Sequence, residues 1–290
     1  MARALAGAGA DDLLAHRDLL LHVLEADGAG VLGDDRVVVE VPLEEQRLGR
    51  DRLTVANHRG DPVPRTLGFL LGAAVLLASL AHGGVTRPGW VATGALLAVL
   101  VVGVVDDLSA QSARGIRNHL RALVAGHPTT GIAKLVVIGA AATAVAAAPT
   151  IPVPLWAAVV RAVLVAGMAN LGNALDVRPG RALKVMVPVC LVGLLGPWAD
   201  QPYLPGLLVA LGPALALDLR ERAMLGDGGS NLVGFAAGIA LASVADGVWL
   251  AVLALLVTAG NLLAEAVSLS AVIDRVAVLR AFDRFGRRPD

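Results

Sequence analysis

The chain has 290 residues, a formal net charge of zero and a hydrophobic share of 56%, with a mean hydropathy of +0.71. That composition lies well outside the range of an ordinary water-soluble domain, and the 17% of residues that are charged fall mostly between apolar runs. Lipid is therefore the expected solvent, and no nucleic-acid partner is expected; net charge is uninformative here while charge placement is not, and a single Cys190 excludes an intramolecular disulfide.

Residues 1–65 read as a polar cytoplasmic N-terminal segment. Asp11, Asp12, His16, Arg17 and Asp18 interrupt any secretory signal core, and Leu13, Leu14, Leu20, Leu21 and Leu24 predict an amphipathic surface helix over 13–24, with a mis-assigned gene start or a frameshift as the alternative. From there the chain becomes periodic in hydropathy. Apolar stretches follow at 66–82, 90–105, 131–149, 153–172, 182–198, 203–219, 229–246 and 247–269, each near the length that about 30 Å of hydrocarbon requires. The expected fold is all-α: a polytopic transmembrane helix bundle of about eight spans over residues 66–270, followed by a basic cytoplasmic tail at 271–290. The connections 149–153 and 245–248 are short enough to demand antiparallel hairpins. Gly68-x-x-x-Gly72 and Gly234-x-x-x-Gly238 permit close helix approach, although such spacings arise by chance among 33 glycines.

Charge placement orients the bundle. With residues 106–130 in the cytoplasm, 21 of the 24 Arg and Lys residues share that side, and only Arg87 falls opposite; Lys134 opens a span from the cytoplasmic end and Arg161 lies within one. Trp90, Trp156, Trp198 and Trp249 all lie at the other ends of their spans, where indoles favour head groups. Arginine outnumbers lysine 22 to 2 in an Ala-, Val- and Gly-rich background, which points to a GC-rich bacterial genome and so to a bacterial cytoplasmic membrane.

In this topology Asp106, Asp107, Asp176 and Asp227 reach one membrane surface. Carboxylates at a bilayer edge are costly unless solvated or paired, so four at one depth predict a shared polar cleft on the cytoplasmic face. Mg²⁺ suits such a site, because it takes carboxylate and phosphate oxygens, and the adjacent Asp106 and Asp107 can divide the roles of metal ligand and base. Arg114, Arg117, Arg121, Arg178, Arg181, Lys184, Arg220 and Arg222 lie in the neighbouring loops and match phosphate oxygens; taken singly, each equally satisfies the positive-inside rule. Asn170, Asn173 and Asp176 follow one helix face, and Gly226-Asp227-Gly228-Gly229-Ser230-Asn231 opens a helix whose amides can face an anion. His119 and His127 show no metal-ligand spacing.

Three motifs then fall in a specific order: Val-Val-Asp106-Asp107-Leu with its Arg-rich loop, Asn170-x-x-Asn173-x-x-Asp176, and Met224-Leu-Gly-Asp227-x-Gly-Ser230. With Asn57-x-Arg59-Gly60-x-Pro62-Val-Pro64 ahead of the first span, the chain from about residue 54 onward resembles the polyprenyl-phosphate N-acetylhexosamine-1-phosphate transferases, the family of the phospho-N-acetylmuramoyl-pentapeptide transferase. The resemblance implies Mg²⁺-dependent transfer of a sugar-1-phosphate from a UDP-sugar to undecaprenyl or another polyprenyl phosphate, with release of UMP. It implies Asp227 and Asp107 as metal ligands and Asp106, Asp107 and Asp176 as catalytic residues; with the loop bases, Asn170, Asn173, Arg114, Arg117, Arg178 and Lys184 are the candidate substrate-binding residues, and homodimerisation is left open. The chain departs from the family in having Val177-Arg178-Pro179-Gly180 after Asp176, no histidine in 270–290 and no first span in 1–53. A non-catalytic lipid- or nucleotide-binding relative and a cation-coupled transporter are the alternatives; acids gathered at one surface rather than at the midplane argue against transport.

Overall fold

The structure is a computed structural model that describes residues 53–109, 124, 129–149 and 153–288, apart from the side chain of Trp198. The surface helix expected at 13–24 lies outside the described residues. A compact unit runs over Leu48–Asp290 and holds every element described below.

It opens with a two-stranded antiparallel hairpin, β1 (Thr54–Ala56) and β2 (Pro62–Pro64), with Val55 opposite Val63. Ten α-helices follow among the described residues: α1 (Leu67–Ala81), α2 (Arg87–Leu108), α3 (Thr130–Ala146), α4 (Leu155–Leu175), α5 (Arg181–Val192), α6 (Leu204–Leu219), α7 (Gly226–Val244), α8 (Gly247–Ala266), α9 (Leu269–Arg275) and α10 (Ala277–Arg284). Each of the eight predicted apolar stretches is thus centred on one helix, α1 to α8. Of these, α2, α4 and α8 are long and apolar enough to cross a membrane, and α1, α3 and α6 are shorter apolar helices.

Local chemistry sets the boundaries. Thr86 caps α2 by accepting the Gly89 amide at 3.2 Å, with Pro88 in the first turn, where a missing N–H costs nothing. Thr129 caps α3 in the same way through Ile132. The stretch predicted at 182–198 is shorter as a helix: α5 contains Pro188, ends at Val192 and passes into 3₁₀ turns at Gly193–Leu195 and Trp198–Asp200 around Gly196 and Pro197.

The bundle is organised around α7, of which fifteen residues are buried. It packs on α4, α2, α5 and α1, while α3 bridges α2 and α4, α6 lies on α1 and α8 lies on α4. Glycine makes these approaches possible. A Cβ on Gly234 would meet the Met168 carbonyl oxygen at 2.4 Å, and one on Gly238 would meet the Val165 Cα at 2.7 Å, so the Gly234/Gly238 pair is the α4–α7 crossing itself. Gly68 plays the same part against Gly229, and Gly72 accommodates Leu100 of α2. The outer surface is apolar: Leu77, Val136, Leu155, Val209 and Leu255 are between 64% and 81% exposed, an arrangement suited to acyl chains and costly in water.

A candidate active site at the start of α7

The first turn of α7 meets three helices through small residues. A Cβ on Gly103 of α2 would lie 2.7 Å from the Asp227 carbonyl oxygen, and one on Gly172 of α4 would lie 2.7 Å from that of Ser230. The sequence Gly226-Asp227-Gly228-Gly229 therefore lets the end of α2, the end of α4 and the start of α7 close to backbone contact. Gly226 also turns the chain, with φ +64°.

Leu225 precedes α7 and offers no capping side chain. The cap comes from α2 instead: Asp107 Oδ2 accepts the Gly228 amide at 3.2 Å, placing a carboxylate at the positive end of the helix. Asp107 Oδ1 accepts from Arg65 Nη1 at 2.9 Å, and the same nitrogen reaches the Asp107 carbonyl at 3.1 Å. Arg65 leaves β2 in the right place because Arg65 N bonds Leu53 O, Met224 N bonds Pro64 O and Leu67 N bonds Met224 O, stitching the hairpin to the loop before α7.

Asp106, one residue earlier, faces α3. Its Oδ1 accepts from Thr130 Oγ1 at 2.5 Å and its Oδ2 lies 2.6 Å from Lys134 Nζ. The same ammonium lies 2.5 Å from Asp227 Oδ2. One cation is thus shared by carboxylates from α2 and α7, with the Lys134 and Asp106 side chains 12% and 15% exposed and that of Asp227 33% exposed. Three carboxylates here meet two cations, Lys134 and Arg65, and such an excess in a half-buried cleft calls for further positive charge.

Asp106 and Asp227 are the carboxylates that could hold a magnesium ion. Lys134 Nζ lies between Asp106 and Asp227, and among the described residues no group of three or more Asp, Glu, His or Cys side chains is placed to hold a metal ion. Two protein carboxylates with the remaining positions left to phosphate and water is the usual Mg²⁺ pattern. The pair facing one cation is Asp106 and Asp227; Asp107, expected beside Asp227 as a ligand, has both oxygens engaged by Arg65 and Gly228.

Asp176 closes α4 on the same side. Burial, reinforced by the negative charges of Asp218, Asp227 and Asp107, pushes its carboxyl well above the usual carboxylate range, so it holds its proton further up the pH scale than an exposed Asp. Asn173, one turn back, accepts from Ser230 Oγ at 3.0 Å, and Asn231 Nδ2 donates to the Asp227 carbonyl at 2.6 Å, which braces the first turn of α7 from both sides. Arg178 lines a small cleft with Asn57, His58, Asp176, Asp218 and Glu221. Glu221 adopts the left-handed conformation at φ +55° and gathers Asn57, His58 and Arg59 around its carboxylate. Burial lowers the His58 pKa, and Arg178, Arg287 and Arg59 add to this against the pull of Glu221.

Other predicted residues are placed elsewhere. Asn170 donates to Asn261 Oδ1 at 2.6 Å, and Asn261 in turn bonds the Gly167 carbonyl, so this amide clamps α4 to α8 rather than facing the acids. Lys184 caps α10, donating to the carbonyls of Phe282, Asp283 and Phe285. Arg114 and Arg117 lie outside the described residues, as do Arg121, His119 and His127.

Lys134 and Arg65 are the residues that sequence reasoning passed over. A signal existed for Lys134: an ammonium one turn into an apolar helix needs an acid, and the acids of a neighbouring helix end at the same level. Arg65 carried none, being one arginine among eight in the N-terminal 65 residues. No family model matches the chain, and neither the curated proteins nor the solved structures give a significant match.

Proposed function

We propose that the protein is a membrane-embedded sugar-1-phosphate transferase, moving an N-acetylated amino sugar 1-phosphate from a UDP-sugar to polyprenyl phosphate and releasing UMP. The observation that carries the reading is the convergence of Asp106, Lys134 and Asp227 with Asp107 and Asp176 at one end of an apolar bundle. In this reading α1 to α8 all cross a bacterial cytoplasmic membrane, and the acidic end faces the cytoplasm, where nucleotide sugars are found.

Asp106 and Asp227 would hold Mg²⁺. When bound, it neutralises diphosphate charge and orients the phosphoryl oxygens. An oxygen of the lipid phosphate forms a bond to the sugar-bearing phosphorus while the bond from that phosphorus to the UMP oxygen breaks, so the lipid diphosphate sugar and UMP are the products. Lys134 stabilises the charge that builds on the transferred group, in a site where a fixed ammonium needs no reorganisation. Asp107, oriented by Arg65, holds the α7 amides in place, and Arg178, which lines the small cleft with Asp176, would serve as a phosphate-binding side chain.

One observation favours a second reading. Lys134 Nζ fills the space between Asp106 and Asp227, which in a non-catalytic relative would be a permanent internal salt bridge that leaves the cleft to bind lipid or nucleotide only. Purified protein incubated with undecaprenyl phosphate, Mg²⁺ and a panel of UDP-sugars separates the two. UMP release that requires lipid, metal and Asp227, tested with Asp227→Ala, supports the transferase; nucleotide binding without release supports the relative.

A further inference from the structure

The opposite end of the bundle from the acids contains a second cavity, of about 470 Å³, between the start of α2, the end of α3, the start of α4 and the end of α7. Its walls are apolar, with Val145, Val165 and Ile239 among them, yet Arg161, Asp200, Gln201 and Ser243 also line it. Its volume is that of a small-molecule site.

Two buried polar atoms there lack partners: Arg161 Nε, a donor, and Gln201 Oε1, an acceptor. Gln201 is 1% exposed. Its amide cannot turn to relieve this, because Nε2 donates to the Gly193 carbonyl at 3.1 Å and to Ser243 Oγ at 3.2 Å, and an oxygen in that position would face the carbonyl oxygen. A buried polar group without a partner destabilises the fold, because it has given up water and gained nothing in return. An arginine one to two turns into an apolar helix adds to this cost, and a ligand that supplies an anionic oxygen and a donor removes both. Asp200, bonded by Thr86 Oγ1, adds a second acceptor at the rim.

We propose that this cavity binds the head group of one phospholipid whose phosphodiester ends in a hydrogen-bond donor, such as a glycerol or an ethanolamine. The phosphate oxygen meets Arg161, the terminal donors meet Gln201 Oε1 and Asp200, and the first acyl carbons lie on Val145, Val165 and Ile239. Choline is disfavoured, because its trimethylated nitrogen has no hydrogen to offer. The inference rests on the membrane placement of the bundle and is independent of the transferase chemistry.

Native mass spectrometry of the delipidated protein in detergent tests it, with phosphatidylglycerol, phosphatidylethanolamine and phosphatidylcholine added in turn. One tightly retained phosphatidylglycerol or phosphatidylethanolamine per chain is expected, with phosphatidylcholine about tenfold weaker and a similar loss in Arg161→Gln, the size expected for one charged hydrogen bond. Ala242→Phe, which adds bulk to the cavity wall and keeps the arginine, should also lose the lipid. Equal retention of the three lipids, or unchanged retention in both variants, overturns the proposal. Free glycerol 3-phosphate bound as tightly as the lipid overturns the lipid assignment in favour of a soluble phosphate. Protein that stays monodisperse in buffer without detergent would instead defeat the membrane placement.

Discussion

Lys134 Nζ lies 2.5 Å from Asp227 Oδ2, tying the second turn of α3 to the first turn of α7. Because the same nitrogen also meets Asp106, removing it leaves two carboxylates facing each other without a cation. Lys134→Met should lower stability by about 2 kcal/mol, less than a fully buried pair would cost because Asp227 keeps some solvent access. The loss should be largest in EDTA and partly restored by millimolar Mg²⁺. Thermal unfolding with and without Mg²⁺ checks this; a wild-type-sized response to Mg²⁺ in the variant would mean that Asp106 and Asp227 do not share a cation site.

Asp107 serves α7 as a cap and Arg65 as a counter-ion. Asp107→Asn keeps an oxygen for the Gly228 amide and loses the charge, whereas Asp107→Ala loses both and strands Arg65. The alanine variant should be the less stable of the two by about 1 kcal/mol, the usual worth of an N-cap. Equal melting temperatures would show that the cap contributes nothing.

Glycine substitutions should divide by the space around them. Gly234→Leu must displace the Met168 backbone and push α4 from α7, costing about 3 kcal/mol. Gly139→Ala in α3 and Gly94→Ala in α2 have open space at the Cβ and should be neutral or stabilising by up to about 1 kcal/mol, as in any helix interior. Detergent-resistant melting temperatures of the three variants give the comparison.

The C-terminal helix is held by charge. Arg181 Nε donates to Asp283 Oδ1 at 2.6 Å and Arg287 Nη1 to Oδ2 at 2.8 Å, with Lys184 on the neighbouring carbonyls. Burial alone would raise the Asp283 pKa, but the Arg181 hydrogen bond and the surrounding cations outweigh it and hold the carboxyl below its ordinary 3.8. A depressed carboxylate stabilises docking above its unfolded pKa and loses that contribution as pH falls through the folded value. Hydrogen exchange over 277–284, corrected for intrinsic rate, should therefore show constant protection from pH 7 to about 5 and loss below about 4. Asp283→Asn should lack the protection throughout; retention of wild-type protection in that variant would rule out the charge mechanism.

Helix positions were legible in the sequence because hydropathy is a local property. Every apolar stretch from 66–82 to 247–269 corresponds to a helix, and a chain expected to reverse direction between successive helices brings Asp106, Asp107, Asp176 and Asp227 to one end. The acids' common level is a consequence of chain direction alone. The departures were local too: Pro188, Gly193 and Pro197 cut α5 short of its predicted length, and the polar Gly-rich start of α7 made its most buried helix look like an ordinary span.

Pairing is another matter, since it depends on which face each helix turns toward which neighbour. Asn170 and Asn173 are one turn apart and look equivalent in sequence, yet the first is bonded to Asn261 on α8 and the second to Ser230 on α7, because α4 lies between those two helices. Lys134 and Arg65 lie outside the motifs that carry the acids, and they reach them only because α3 packs on α2 and the β-hairpin is stitched to the loop before α7. Sequence by itself determined the helices and the grouping of the acids at one end of the bundle, because both follow from local hydropathy and chain order. Tertiary structure decided which cation each acid meets, since that is set by side-chain direction across helices far apart in the chain.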